Sequence, residues 1–163
     1  MFPDDIDQLA RQVIEAASAR GMMTAVAESC TGGLVAGALT AVAGSSAVVE
    51  RGFVTYSNAA KTELLGVPAT LIETQGAVSE AVAREMAAGA LGRSGAQTAV
   101  SVTGIAGPGG GSPDKPVGLV HFAAIGPSGL VHVERRFGDI GREAVRLESV
   151  RQALRMLLER IGT

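Results

Sequence analysis

Met22-Met23-Thr24-Ala25-Val26-Ala27-Glu28-Ser29-Cys30-Thr31-Gly32-Gly33-Leu34 changes character twice within a few residues. The apolar run Met22–Ala27 reads as a short buried strand. Glu28 to Gly33 are polar and then glycine, and from Leu34 to about Ala43 the apolar residues fall at helical spacing. A buried strand feeding a helix through a tight turn is the building unit of an α/β fold. Such a junction also aims backbone N–H groups at whatever occupies the crevice, which makes it a natural anion or oxyanion site.

Outward from this unit the pattern repeats. Upstream, Ile6, Leu9, Val13, Ile14 and Ala17 give an amphipathic helix over 4–19 that Gly21 stops. Downstream, Gly44-Ser45-Ser46 turns the chain into a strand over about Val48–Tyr56. A short helix over Ala59–Leu65 is closed by Gly66, with Pro68 just beyond. Ser79-Glu80 opens a helix through about Leu91, and Thr98–Thr103 is another buried strand. After the glycine-rich stretch Gly104–Pro116, strands over about Val117–Ile125 and Leu130–Phe137 are joined by Gly126-Pro127-Ser128-Gly129, a hairpin signal. A helix from about Arg142 to Ile161, apolar at Val145, Val150, Leu154, Leu157 and Leu158, closes the chain. No repeat or linker divides it. One domain over 1–163 is expected, an α/β fold with a mixed, mostly parallel sheet covered by helices on both faces.

Composition agrees and excludes several functions. At 163 residues, 47% hydrophobic and mean hydropathy +0.29, the chain is long and apolar enough for a buried core. Aromatics are only 3%, whereas alanine reaches 27 and glycine 22, so close approach of elements replaces bulk. A net charge of −2 without a basic tract argues against nucleic acid as a partner. The single cysteine, Cys30, cannot form an internal disulfide, and its expected role is small-residue packing. His121 and His132 lack partners at metal spacing and read as structural, so neither metal nor cofactor is expected. The acidic N-terminus has no signal-peptide character and no apolar run reaches membrane length, so the expected protein is cytoplasmic, with no membrane partner.

Several residues are candidates for chemistry. Ser29 can be a nucleophile at the strand–helix junction or only a cap; Thr31 is a candidate N-cap, and Gly32 and Gly33 clear space for a ligand. The chain holds 12 arginines but only two lysines, Lys61 and Lys115. Lys61 lies close to the only tyrosine, Tyr56, and the only asparagine, Asn58. With Asn58 as N-cap, Lys61 falls at the third helical position, where the helix field favours the neutral amine that a Ser–Lys hydrolase uses as base. A solvated lysine beside a cap fits the same spacing. The loop after Thr103 can cradle a phosphate with its backbone or be a plain surface connection. Arg142 and Arg146, one turn apart, fit a phosphate clamp, although unaided the spacing favours a solvated face.

Taken in order, Ala27-Glu28-Ser29-Cys30-Thr31-Gly32-Gly33, Arg51–Asn58 with Lys61, Gly76–Glu80, Val102–Pro108, Lys115–Gly118 and Arg142–Arg146 resemble the signature of the CinA C-terminal-domain family, over about residues 5–160. The resemblance implies a three-layer α/β/α sandwich and nicotinamide-nucleotide amidohydrolase activity. The reaction would convert nicotinamide mononucleotide and water to nicotinate mononucleotide and ammonia. It also implies Ser29 as nucleophile, Lys61 as its base and Tyr56 as an assisting hydroxyl near both. Thr103 and the Gly104-Ile105-Ala106 turn would line the nucleotide site, and Arg142 would hold the phosphate. Glu28, Thr31, Gly32, Gly33, Asn58 and Arg146 complete the expected substrate-binding set. Many members carry a larger N-terminal domain resembling molybdopterin-binding enzymes; it has no counterpart here, and that domain's pyrophosphatase activity is expected to be absent. A homo-oligomer, a dimer, is the expected assembly. The alternative is a nucleotide-binding regulatory module of the same fold without significant catalysis.

Overall fold

The computed structural model describes residues 1–162. Its elements run α1 (Asp4–Ala19), β1 (Thr24–Glu28), α2 (Leu34–Thr40), a 3-10 turn (Ser45–Ala47), β2 (Val49–Val54), α3 (Asn58–Leu65), α4 (Ala69–Gln75), α5 (Glu80–Gly92), β3 (Thr98–Gly104), β4 (Leu119–Gly126), β5 (Gly129–Arg136) and α6 (Arg142–Gly162). The five strands form one sheet in the order β2-β1-β3-β4-β5. β1 pairs parallel with β2 and β3, β3 antiparallel with β4, and β4 antiparallel with β5. Four strands therefore point one way and β4 alone runs against them. The expected mixed sheet, hairpin and helical cover are present.

Strand alternation explains the layers. Val26, Val100, Val102, Val120 and Phe122 face α1, α2 and α6 in the larger core, while Ala25, Ala27 and Ala99 face α3, α4 and α5. The second face is built from alanine, which brings α5 close enough for Ser101 Oγ to donate to the Ala83 carbonyl at 2.6 Å. On this side the small side chains of the sheet let the helix approach closely. Gly89 of α5 lies against the Leu65 carbonyl that ends α3, where a Cβ would overlap it.

Local expectations hold at Ser79, whose hydroxyl accepts from Val82 N–H as the α5 cap, and at Gly66, which closes α3 at φ 70°. Two need correction. Pro68, just beyond the closing Gly66, is also the N-cap of helix α4, which the sequence pattern does not predict. Helix α3 is capped by Ser57, which accepts from Ala60 N–H at 3.0 Å. Asn58 is thus the first helical residue and Lys61 the fourth.

Candidate active site

The carboxyl ends of the three parallel strands converge. Glu28 ends β1, its carbonyl accepts from Thr55 N–H just past β2, and Ser29 N–H donates to Val102 of β3. Ser29 is therefore held in the crevice beyond the strand ends, where open α/β sheets bind ligands.

Lys61 reaches it from α3. Its Nζ lies 3.1 Å from Ser29 Oγ and donates to the Thr55 carbonyl at 2.9 Å, and the residue is 1% exposed. Burial, which penalises the ammonium form, pulls the Lys61 pKa below the ordinary 10.5. The neutral amine expected from a helix-field argument is thus favoured, but by desolvation, since Lys61 sits beyond the first positions of α3. The arrangement gives a hydroxyl next to an amine whose neutral form can take its proton.

The turn after Ser29 is not built as its sequence implied. Gly33, at φ 102°, is the N-cap of α2, and no side chain of the turn caps it. Glu28 does that work from the strand: Oε2 accepts from Gly33 and Val35 N–H at 3.1 Å each, and Oε1 from Ala36 N–H at 2.8 Å. Glu28 is 1% exposed, bound to the backbone and absent from the cavity lining described below. Thr31 is buried with its hydroxyl unpaired, and does not cap α2. Gly32 and Gly33 supply positive φ angles of 59° and 102°, which the turn requires, instead of lining the cavity.

A cavity of about 290 Å³ opens over Ser29 and Lys61. Tyr56, Asn58, Thr103, Gly104, Ile105, Ala106 and Arg142 line it. Cys30, Ala77, Val78, Gly107, Gly109 and Gly110 also line it. The Gly76–Glu80 motif signalled Ala77 and Val78, while nothing local marked Cys30. Its thiol is pushed up to about 12, chiefly by burial and then by Glu28, so it is protonated and inert at neutral pH. Thr103 Oγ donates to the Ala77 carbonyl at 2.8 Å and fixes one wall. Arg142 brings a positive charge to the lining, which holds no carboxylate, a field that suits an anion. A wider groove of about 630 Å³ lies beyond Gly109 and Gly110 but contains neither Ser29 nor Lys61.

The two arginines part company. Arg142 spans the cavity mouth, donating to Tyr56 Oη at 3.0 Å and to the Gly107 carbonyl at 2.7 Å. Tyr56, 60% exposed, thus takes its hydrogen bond from Arg142 rather than from Ser29 or Lys61. Arg146 is absent from the lining and donates to the carbonyls of Cys30 and Thr31 at 3.1 and 3.2 Å. Neither arginine is a freely solvated side chain.

His121 and His132 hydrogen-bond to each other, Nδ1 to Nε2, at 2.9 Å. Their outer nitrogens lie 3.9 Å from Glu134 and 3.7 Å from Glu80, carboxylate neighbours that the sequence did not show. Among the described residues no group of three or more His, Cys, Asp or Glu side chains is placed to hold a metal, and no helix is long and apolar enough to cross a membrane.

Fold and site together define an α/β protein in which a serine and a buried lysine meet beyond the carboxyl ends of parallel strands. The chain belongs to the CinA C-terminal domain family, whose model matches residues 6–161. It is 54% identical to a CinA-like protein of Synechococcus sp. (strain RCC307) over 96% of this chain, but spans only 38% of that relative's length. The nicotinamide-nucleotide amidohydrolase PncC of Enterobacter agglomerans is 51% identical, with 94% of this chain and 96% of that protein aligned. The crystal structure of the competence/damage inducible protein CihA from Agrobacterium tumefaciens superposes with a TM-score of 0.97 at 57% identity, covering 100% of this chain and 99% of that one.

Proposed function

We propose that this chain is a nicotinamide-nucleotide amidohydrolase, converting nicotinamide mononucleotide and water to nicotinate mononucleotide and ammonia. The observation that carries the reading is the buried Lys61 amine 3.1 Å from Ser29 Oγ, in a cavity lined by Arg142 and by no carboxylate. The similarity to PncC supplies the substrate class.

In this mechanism neutral Lys61 Nζ accepts the Ser29 proton as Oγ attacks the carboxamide carbon. The resulting ammonium returns the proton to the amide nitrogen, the C–N bond breaks and ammonia leaves. A nicotinoyl ester remains on Ser29. Water then attacks that ester, giving its proton to Lys61, and collapse restores the Ser29 hydroxyl and releases the carboxylate product. Burial lowers the Lys61 pKa and so brings the neutral amine within easier reach between steps. Arg142 meets the 5′-phosphate, exchanging its bonds to Tyr56 and Gly107 for charge-assisted ones.

The test is release of ammonia from nicotinamide mononucleotide, with mass spectrometry of quenched enzyme to find the nicotinoyl ester on Ser29. Ser29→Ala is expected to bind the nucleotide and release no ammonia. Binding by the wild-type chain without ammonia release defeats the proposal and favours a nucleotide-binding regulatory module.

A further inference from the structure

Arg142 and Arg146 lie four residues apart on α6, but only Arg142 faces the cavity. Arg146 passes beneath the turn that follows Ser29, with Nε on the Cys30 carbonyl and Nη2 on the Thr31 carbonyl. Two successive carbonyl dipoles aimed at one point repel each other, and the guanidinium between them offsets that repulsion. Its planar fork spans both acceptors, which a lysine ammonium cannot match in geometry.

The consequence follows from peptide planarity. In a trans peptide the carbonyl and the following N–H point in opposite directions, so fixing one fixes the other. Holding the Cys30 carbonyl sets the Thr31 N–H, and holding the Thr31 carbonyl sets the Gly32 N–H, which donates back to the Ser29 carbonyl at 3.0 Å. Gly32 is required by its backbone angle, φ 59°, and not by space, since a Cβ there would make only ordinary contact with Arg146 Nη2 at 3.5 Å. Glu28 holds the other end of the same turn through the first N–H groups of α2.

We infer that Arg146 is a positioning residue for the nucleophile: it locks the Cys30–Thr31 and Thr31–Gly32 peptide planes and, through the Gly32 N–H on the Ser29 carbonyl, holds Ser29 so that Oγ meets Lys61, without touching substrate. This replaces the substrate-binding role that the sequence pattern implied for Arg146, and its kinetic part rests on the amidohydrolase reading above. A residue that aligns the nucleophile acts on kcat, whereas one that grips the ligand acts on KM.

The experiment compares Arg146→Gln, Arg146→Lys and, as control, the exposed Arg155→Ala of the same helix. Two readouts are taken: steady-state hydrolysis of nicotinamide mononucleotide, and backbone hydrogen exchange over residues 28–34. Arg146→Gln is expected to lower kcat roughly 10- to 100-fold with KM changed less than about threefold, the scale of a misaligned reacting group. Exchange in the turn should accelerate while α5 stays protected. Arg146→Lys should fall between, and Arg155→Ala should match wild type. Raised KM at unchanged kcat would return Arg146 to the substrate contacts and overturn the inference, as would unchanged exchange in the turn. If Arg146→Gln does not fold, Arg146→Lys decides by the same criteria. Absence of ammonia release from the wild-type chain defeats the amidohydrolase reading, and the exchange result then decides this inference alone.

Discussion

The proposed mechanism gives Lys61 Nζ the role of base. Guanidinium keeps its proton at any accessible pH, so Lys61→Arg retains charge but loses the base. Hydrolysis is expected to vanish, and a rate within about threefold of wild type, under roughly 1 kcal/mol in barrier, would remove Lys61 from that role. Because burial lowers the Lys61 pKa, the active neutral form gains population as pH rises, and kcat/KM should climb through a pKa below 10.5. Arg142 carries a different expectation. A charge-assisted phosphate contact contributes roughly 1.5–3 kcal/mol, so Arg142→Ala should raise KM for nicotinamide mononucleotide about ten- to a hundredfold. The dephosphorylated riboside should be little affected; equal losses on both would show that Arg142 does not read the phosphate.

Whole elements are held by side chains from their neighbours. Helix α2 is short and begins on glycine, and Glu28 of β1 satisfies three of its N–H groups. Glu28→Gln puts an amide NH2 where one oxygen accepted, and leaves a buried donor facing a donor. A loss of about 1.5–3 kcal/mol is expected, seen as a melting temperature lower by roughly 5–10 °C. The β4–β5 hairpin meets α5 through the His121–His132 pair. Both imidazoles lie below the ordinary 6.5, first because they are buried. Glu80 and Glu134 oppose the shift, while Arg84 and Lys115 add to it. The unfolded chain therefore binds more protons below pH 6.5, so stability should fall as pH drops from there toward the lowered values. Thermal unfolding between pH 7.5 and 5 checks this, and a His121→Asn/His132→Gln double variant should show a flatter curve. An unchanged slope would remove the pair as the cause. Capping was half legible at this scale: Ser79 and Gly66 stand at their helix ends by local chemistry, but choosing Ser57 over Asn58 depends on the backbone angles at the end of β2.

Across the molecule, the cavity draws its walls from β3, α3 and the loops after β1, β2, α4 and β3, with Arg142 of α6 at the mouth. A ligand held by so many elements is coupled to folding of the whole domain. With Ser29→Ala preventing turnover, nicotinamide mononucleotide at a hundred times its Kd should stabilise the chain by about 2.7 kcal/mol. Calorimetry should show one transition that moves upward with ligand. A ligand-independent midpoint would mean that the nucleotide does not bind the native cavity.

The sequence by itself determined the α/β alternation, the hairpin and most helix ends, because periodicity and turn chemistry act within a few residues. Motif resemblance brought Ser29, Tyr56, Lys61, Thr103 and Arg142 together, and the scarcity of lysine had already drawn attention to Lys61. Only the tertiary structure decided the strand order β2-β1-β3-β4-β5 and, through it, the meeting of Ser29 with a lysine 32 residues away. It also turned Glu28 inward onto α2, separated Arg142 from Arg146, and moved the cause of the Lys61 shift from helix field to burial. Local sequence can supply a charge or a hydroxyl, but its partner and its desolvation are set by chain segments distant in sequence, and these become neighbours only when the sheet assembles.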